Sequence, residues 1–129
     1  MKNPCLLYQE LTENILGACF EVMNELGAGF LESVYEQALL IALRGRGLSA
    51  QSQVPISVQF RREKIGEFFA DILVERKVIL ELKAAKSIAP EHQAQIINYL
   101  KATRIEVGLL INFGPAKLDY RRFHRKGLS

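Results

Sequence analysis

The sequence predicts an α/β protein, with helices packed around a mixed β-sheet, and three observations carry that reading. Two early segments repeat apolar residues at helical spacing. The middle of the chain switches to the period-two alternation of strands. A helix opened by Pro90 is then followed by an unbroken apolar run. The expected order is helix, helix, strand, strand, strand, helix, strand, with a short last strand or a tail.

Taken in order, Leu11, Ile15, Ala18, Cys19, Val22 and Leu26 form one face of a helix over Leu7 to Leu26, and Gln9, Glu13, Asn14, Glu21 and Asn24 fill the other. Glycine closes helices cheaply in the left-handed conformation, so the Gly27 to Gly29 stretch ends it. A second helix is expected from about Leu31 to Arg44, with Val34, Ala38, Ile41 and Ala42 inward, stopped by the Gly45 to Gly47 stretch. Val54, Ile56, Val58 and Phe60 then alternate with polar residues as in a half-buried strand, and Pro55 points to an edge position or a strand start.

Arg61 to Lys64 turns the chain into a second strand ending near Val74, and Glu75 to Lys77 turns it again into a third, Val78 to Ala84. Pro90 suits a first helical turn, where its missing donor is not needed, so Pro90 to Thr103 reads as helix. Val107 to Phe113 has no polar alternation and reads as a strand buried on both faces, parallel to a neighbour across that helix.

A chain of 129 residues, 49% of them hydrophobic, is the size of one domain with one packed core. The charge of +3 is compatible with a polyanionic partner and too small to argue for one. Lys117, Arg121, Arg122, Arg125 and Lys126 gather near the C-terminal end, as a solvated tail or as phosphate contacts. Cys5, Cys19 and two histidines do not make a zinc or iron–sulfur set. No leader and no membrane-length apolar run are evident, so a soluble cytoplasmic protein is expected.

Asp71, Glu81 and Lys83 stand inside apolar strands, where an unpaired charge is costly. Glu81 and Lys83, two apart, share a face. If Glu75 to Lys77 is a three-residue connection, Val74 pairs with Val78 and Asp71 falls opposite Glu81. Two carboxylates that close repel unless a cation lies between them, and a hard divalent ion such as Mg²⁺ or Mn²⁺ suits such a pair. Lys83 could then orient water or offset charge on a phosphate, which fits phosphodiester hydrolysis. A structural Glu81–Lys83 ion pair on a solvated face, with Asp71 capping a turn, explains the spacing at least as well. Glu32 and Tyr35 share a helix face with Glu36 close to it, and Gln95 and Tyr99 share another. Both pairs also suit ordinary helices.

The segment GFLESVY, Gly29 to Tyr35, resembles the G-x-x-E-x-x-Y signature of a family of small bacterial and archaeal proteins. Asp71, Glu81 and Lys83 resemble the D…E-x-K core of the PD-(D/E)XK nuclease superfamily, to which that family is assigned. Gln95 and Tyr99 look like the Q-x-x-x-Y motif of its RecB-type exonuclease branch. The three motifs stand in the right order over nearly the whole chain.

The resemblance implies a restriction-endonuclease-like core and a single nuclease-like domain over residues 1–129. Glu32, Asp71 and Glu81 would bind Mg²⁺ or Mn²⁺ with help from the Leu82 carbonyl, and Lys83 would position the attacking water. Gln95 and Tyr99 would contact nucleic acid, DNA being favoured, and Tyr35, Arg121 and Arg122 are further candidate contacts. Ala70 stands where the superfamily has proline, and the cysteines of the cluster-bearing relatives are absent, so no cluster is expected. Two alternatives remain open: a non-catalytic nucleic-acid-binding module of the same fold, and an interaction protein acting as a homodimer or as a subunit of a larger assembly.

Overall fold

The computed structural model describes residues 7–128. Its order is α1 (Gln9–Leu26), α2 (Glu32–Gly45), β1 (Ala50–Phe60), β2 (Glu63–Val74), β3 (Val78–Lys83), α3 (Pro90–Thr103), β4 (Val107–Asn112), β5 (Asp119–His124) and β6 (Gly127–Leu128). The six strands make one mixed sheet in sequence order, antiparallel everywhere except between β3 and β4. That parallel pair is joined by α3, since parallel neighbours need a crossover. The expected mixed sheet flanked by helices is the fold observed, and the C-terminal segment after Gly114 supplies β5. Cys5 lies outside the described residues.

Two cores sandwich the sheet. Ile15, Cys19 and Val22 of α1 and Leu39 and Leu43 of α2 pack with Ile72, Leu80, Leu82, Leu109 and Ile111 on one face. Ile96, Tyr99 and Leu100 of α3 pack with Leu73, Ile79, Leu110 and Phe123 on the other. β4 is buried throughout, as an apolar run without alternation predicts. Gly108 lets α3 approach, since a Cβ there would lie 2.9 Å from Ile96 Cδ1.

Helix α2 corrects one expectation. Its buried residues are Tyr35, Leu39, Leu40 and Leu43, while Ile41 is 72% exposed and Val34 is exposed. Apolar residues surround the second half of this helix on every side, so periodicity does not select a face, and packing against α1 and the sheet does.

The strands behind the candidate site are irregular in two ways. The β1–β2 turn is only Arg61 and Arg62, both with positive φ (50° and 69°), so β2 starts at Glu63 and the hairpin is long. Between the Ser52–Ile72 and Val54–Ala70 pairs, Gln53 also takes a left-handed backbone, φ 50°. Across that point Ala70 and Ile72, two apart, join different cores. Side-chain alternation is broken where Asp71 sits. The β2–β3 ladder runs from Val74–Val78 to Ile72–Leu80, whereas β1 follows β2 to its far end. Residues 54–70 therefore form a two-stranded arm beyond the main sheet.

Candidate metal and catalytic site

The site starts where β2 and β3 part. The turn at Glu75 to Lys77 sets the Val74–Val78 register, with the Lys77 N–H donating to the Val74 carbonyl at 2.9 Å. Beyond Ile72–Leu80 the side chains of Asp71 and Glu81 take up donors that a continuing ladder would have used. The Leu82 N–H donates to Asp71 Oδ2 at 2.8 Å, and the Asp71 N–H donates to Glu81 Oε1 at 3.2 Å. Each carboxylate is thus anchored on the backbone of the opposite strand, and the two lie side by side.

The electrostatics follow from burial. Glu81 is 4% exposed, and desolvation, with the charge of Asp71 added, pushes its pKa up to about 8. Burial also raises the pKa of half-buried Asp71, against the opposing pull of the Leu82 N–H and the Lys83 ammonium. Lys83, two residues after Glu81, shares its face and lowers both values by its charge, without an ion pair within 4 Å among the described residues. A buried Glu81 is not the solvated ion pair that spacing alone allowed.

A third carboxylate, Glu36, comes from α2. Gln53, turned by its left-handed backbone, donates to Glu36 Oε1 at 3.0 Å and to Asp71 Oδ1 at 3.5 Å. The Glu36 pKa is raised by burial first and then by the charge of Asp71. Glu32, one turn earlier, is exposed in the first turn of α2 and acts on Glu36 through its charge. Glu36 and Glu32 are equivalent in the sequence pattern, and only the position of Gln53 separates them.

From the other side α3 brings Tyr99, whose hydroxyl accepts Gln95 Nε2 at 2.8 Å. Tyr99 is held above the ordinary phenol pKa by burial and then by the charge of Glu81. Tyr99 therefore borders the carboxylates, and Gln95 is held against Tyr99.

Other candidates lie elsewhere. Tyr35 has no exposed surface: its ring stacks on Phe113 at 4.5 Å, its hydroxyl donates to the Gly27 carbonyl and accepts the Phe30 N–H at 3.2 Å. It fastens the α1–α2 loop instead of facing a ligand. Arg122 reaches α1, donating from Nη1 to Thr12 Oγ1 at 3.1 Å and from Nη2 to the Leu7 carbonyl. Arg121 is exposed and paired with Asp119. Leu82 puts its side chain in the α1–α2 core.

The donor set can be tested against a divalent ion. Among the described residues no three His, Cys, Asp or Glu side chains converge as a ready-made cage. Mg²⁺ does not need one, because it keeps several waters and is commonly held by one or two carboxylates. Two adjacent carboxylates whose ionised forms are both disfavoured by burial fit a hard cation, which would restore their charge.

Comparison with known proteins bears on the fold and the family. The crystal structure of SSO0001 has the same fold, with a TM-score of 0.58 over 98% of this chain at 19% identity. The chain spans 62% of the length of that protein. No curated protein matches the chain. Among the described residues no helix is long and apolar enough to cross a membrane. The model of the PD-(D/E)XK nuclease superfamily matches residues 9–123, and the chain belongs to that superfamily.

Proposed function

We propose that this protein is a nuclease dependent on Mg²⁺ or Mn²⁺ that hydrolyses phosphodiester bonds of nucleic acid, and that residues 1–129 act as one catalytic domain. The observation that carries this reading is the cross-anchored pair Asp71 and Glu81 with Lys83 on the same face. Asp71 and Glu81 hold the ion, with the Leu82 carbonyl as an auxiliary oxygen. Glu36, bridged by Gln53, is the α2 carboxylate nearest them, and Glu32 adds negative charge at the rim. A bound divalent ion supplies neutralisation of phosphate charge and a water of lowered pKa.

Lys83 orients the attacking water or offsets charge growing on the phosphate. Gln95 and Tyr99 contact the substrate strand beside the carboxylates. DNA is the substrate that the likeness to the RecB-type branch favours, and Gly29, Glu32 and Tyr35 support a place in the G-x-x-E-x-x-Y family within the superfamily. Purified protein incubated with single- and double-stranded DNA and RNA should cleave at least one of them with Mg²⁺ or Mn²⁺ and none with chelator. Asp71→Asn and Lys83→Ala should each abolish cleavage while leaving thermal unfolding cooperative. No cleavage of any of these substrates would overturn the reading.

A further inference from the structure

The β1–β2 arm carries aromatic surface next to the site that the fold leaves uncovered. Phe60, Ile65, Phe68 and Phe69 are all exposed. Phe68 leans on Tyr99, its ring centroid 5.8 Å away and tilted by 40°, yet it stays 46% exposed. Gly66, two residues earlier and on the same strand face, has no side chain, and a Cβ there would meet only the Phe68 ring, at 3.6 Å. The ring is therefore open to a groove between the arm and α3.

That groove has a volume of about 1440 Å³ and is lined by Gln95, Asn98, Tyr99, Lys101 and Arg104. Its volume exceeds the roughly 300–1,000 Å³ of a small-molecule site. Cations line its α3 side, Lys101 on α3 and Arg104 at the helix C-cap, against the acid Glu91. Arg61 and Arg62 form the tip of the arm, where the Arg61 guanidinium lies 4.9 Å over the Phe60 ring. Lys64 is neutralised by Glu67. Exposed aromatic rings beside cations, with Tyr99 standing between the groove and Glu81, match the chemistry of a polyanion with accessible base faces.

We infer that this groove seats an unpaired nucleic-acid strand, one base stacked on Phe68 and the backbone facing Lys101 and Arg104, so that the site acts on single-stranded substrate. The inference rests on the nuclease reading for its purpose, though not for the binding itself. A paired base has both faces covered by its neighbours and gains nothing from Phe68, whereas stacking an unpaired base on an aromatic ring is worth about 1–3 kcal/mol.

The test measures binding of a short fluorescent oligonucleotide, single-stranded or annealed to its complement, to the full chain in chelator, where no cleavage occurs. Wild type should bind the single strand more tightly than the duplex, and Phe68→Ala should weaken single-strand binding about 5- to 150-fold. Phe68→Trp should restore it. Gly66→Leu, which covers the ring without removing it, should weaken binding as well. Thermal unfolding and sizing of each variant report on the fold.

Equal or tighter duplex binding, or an unchanged affinity in a folded Phe68→Ala variant, overturns the inference. It is also overturned if Phe68→Ala converts a self-associating chain to monomer without loss of strand binding, because the patch then seats a second copy. Cleavage of duplex that is indifferent to Phe68 would remove this inference and leave the nuclease. Phe68-dependent strand binding without cleavage under any metal would remove the nuclease and leave the inference.

Discussion

Asp71 and Glu81 are tied crosswise: the Asp71 carboxylate accepts the Leu82 N–H while the Glu81 carboxylate accepts the N–H of Asp71 itself. Strands that part leave backbone donors unsatisfied, and here two acids fill the gap. The same contacts that close the ladder fix both carboxylates beside each other, so fold and site share one set of hydrogen bonds.

Substitutions at Asp71 should separate those two roles. Asp71→Asn keeps an oxygen for the Leu82 N–H and removes the charge, so cleavage should fall by about 100-fold or more with little change in unfolding temperature. Asp71→Ala also strands the buried donor and should cost about 1–3 kcal/mol in addition. Equal stability of the two variants would show that the bond to Leu82 contributes nothing to the fold.

Glu81 makes metal-free stability fall as pH rises. Its folded pKa is about 8 against an ordinary 4.5, so between those values the folded state holds a proton that the unfolded state has lost. Stability is complete below about pH 4.5 and is lost progressively up to about pH 8, by as much as roughly 1.4 kcal/mol per pH unit from this group alone. Glu81→Gln, which keeps an acceptor for the Asp71 N–H, should be more stable than wild type at pH 8 in chelator, with the difference shrinking toward pH 5. Denaturant unfolding across pH checks this. Metal affinity should show the reverse trend, tightening with pH until Glu81 is fully ionised.

Much of the arrangement was legible from residue pattern, and the failures are instructive. The register at Val74–Val78 followed from the three-residue connection, and α3 was bounded by Pro90 and its helical spacing. What pattern could not supply was the parting of β2 from β3, because strand spacing extrapolates a ladder and cannot say where tertiary packing ends it. Glu36 was hidden for a related reason: it lies one turn from Glu32, and the choice between them is made by Gln53 on a different element. The exposed Phe60 read as an inward position because alternation reports a face and not how far an arm extends beyond the core.

Glu36→Gln should test the third carboxylate. Loss of its charge removes one repulsion on Asp71 and one oxygen donor near the ion, so metal affinity should weaken about 10- to 100-fold while the metal-free fold is unharmed. Calorimetric titration with Mn²⁺ measures it. An equal loss in Glu32→Gln with none in Glu36→Gln would return the role to the first turn of α2.

Gly114 should prove intolerant of any side chain. A Cβ there would lie 1.9 Å from the Ala85 carbonyl oxygen. Asn112 clamps the same residue, two positions after Lys83 at the end of β3, accepting the Ala85 N–H at 3.0 Å and donating to its carbonyl at 2.9 Å. Gly114→Ala should therefore cost about 1–3 kcal/mol and lower turnover by shifting Lys83. Thermal unfolding and cleavage assays on the same preparation would show whether the two effects travel together.

The most direct test is anomalous scattering from a crystal soaked in Mn²⁺. A single ion bonded at about 2.0–2.3 Å to carboxylate oxygens of both Asp71 and Glu81 is the predicted result. A protein that cleaves nucleic acid while its ion sits away from that pair, or binds only one of the two, would contradict the account.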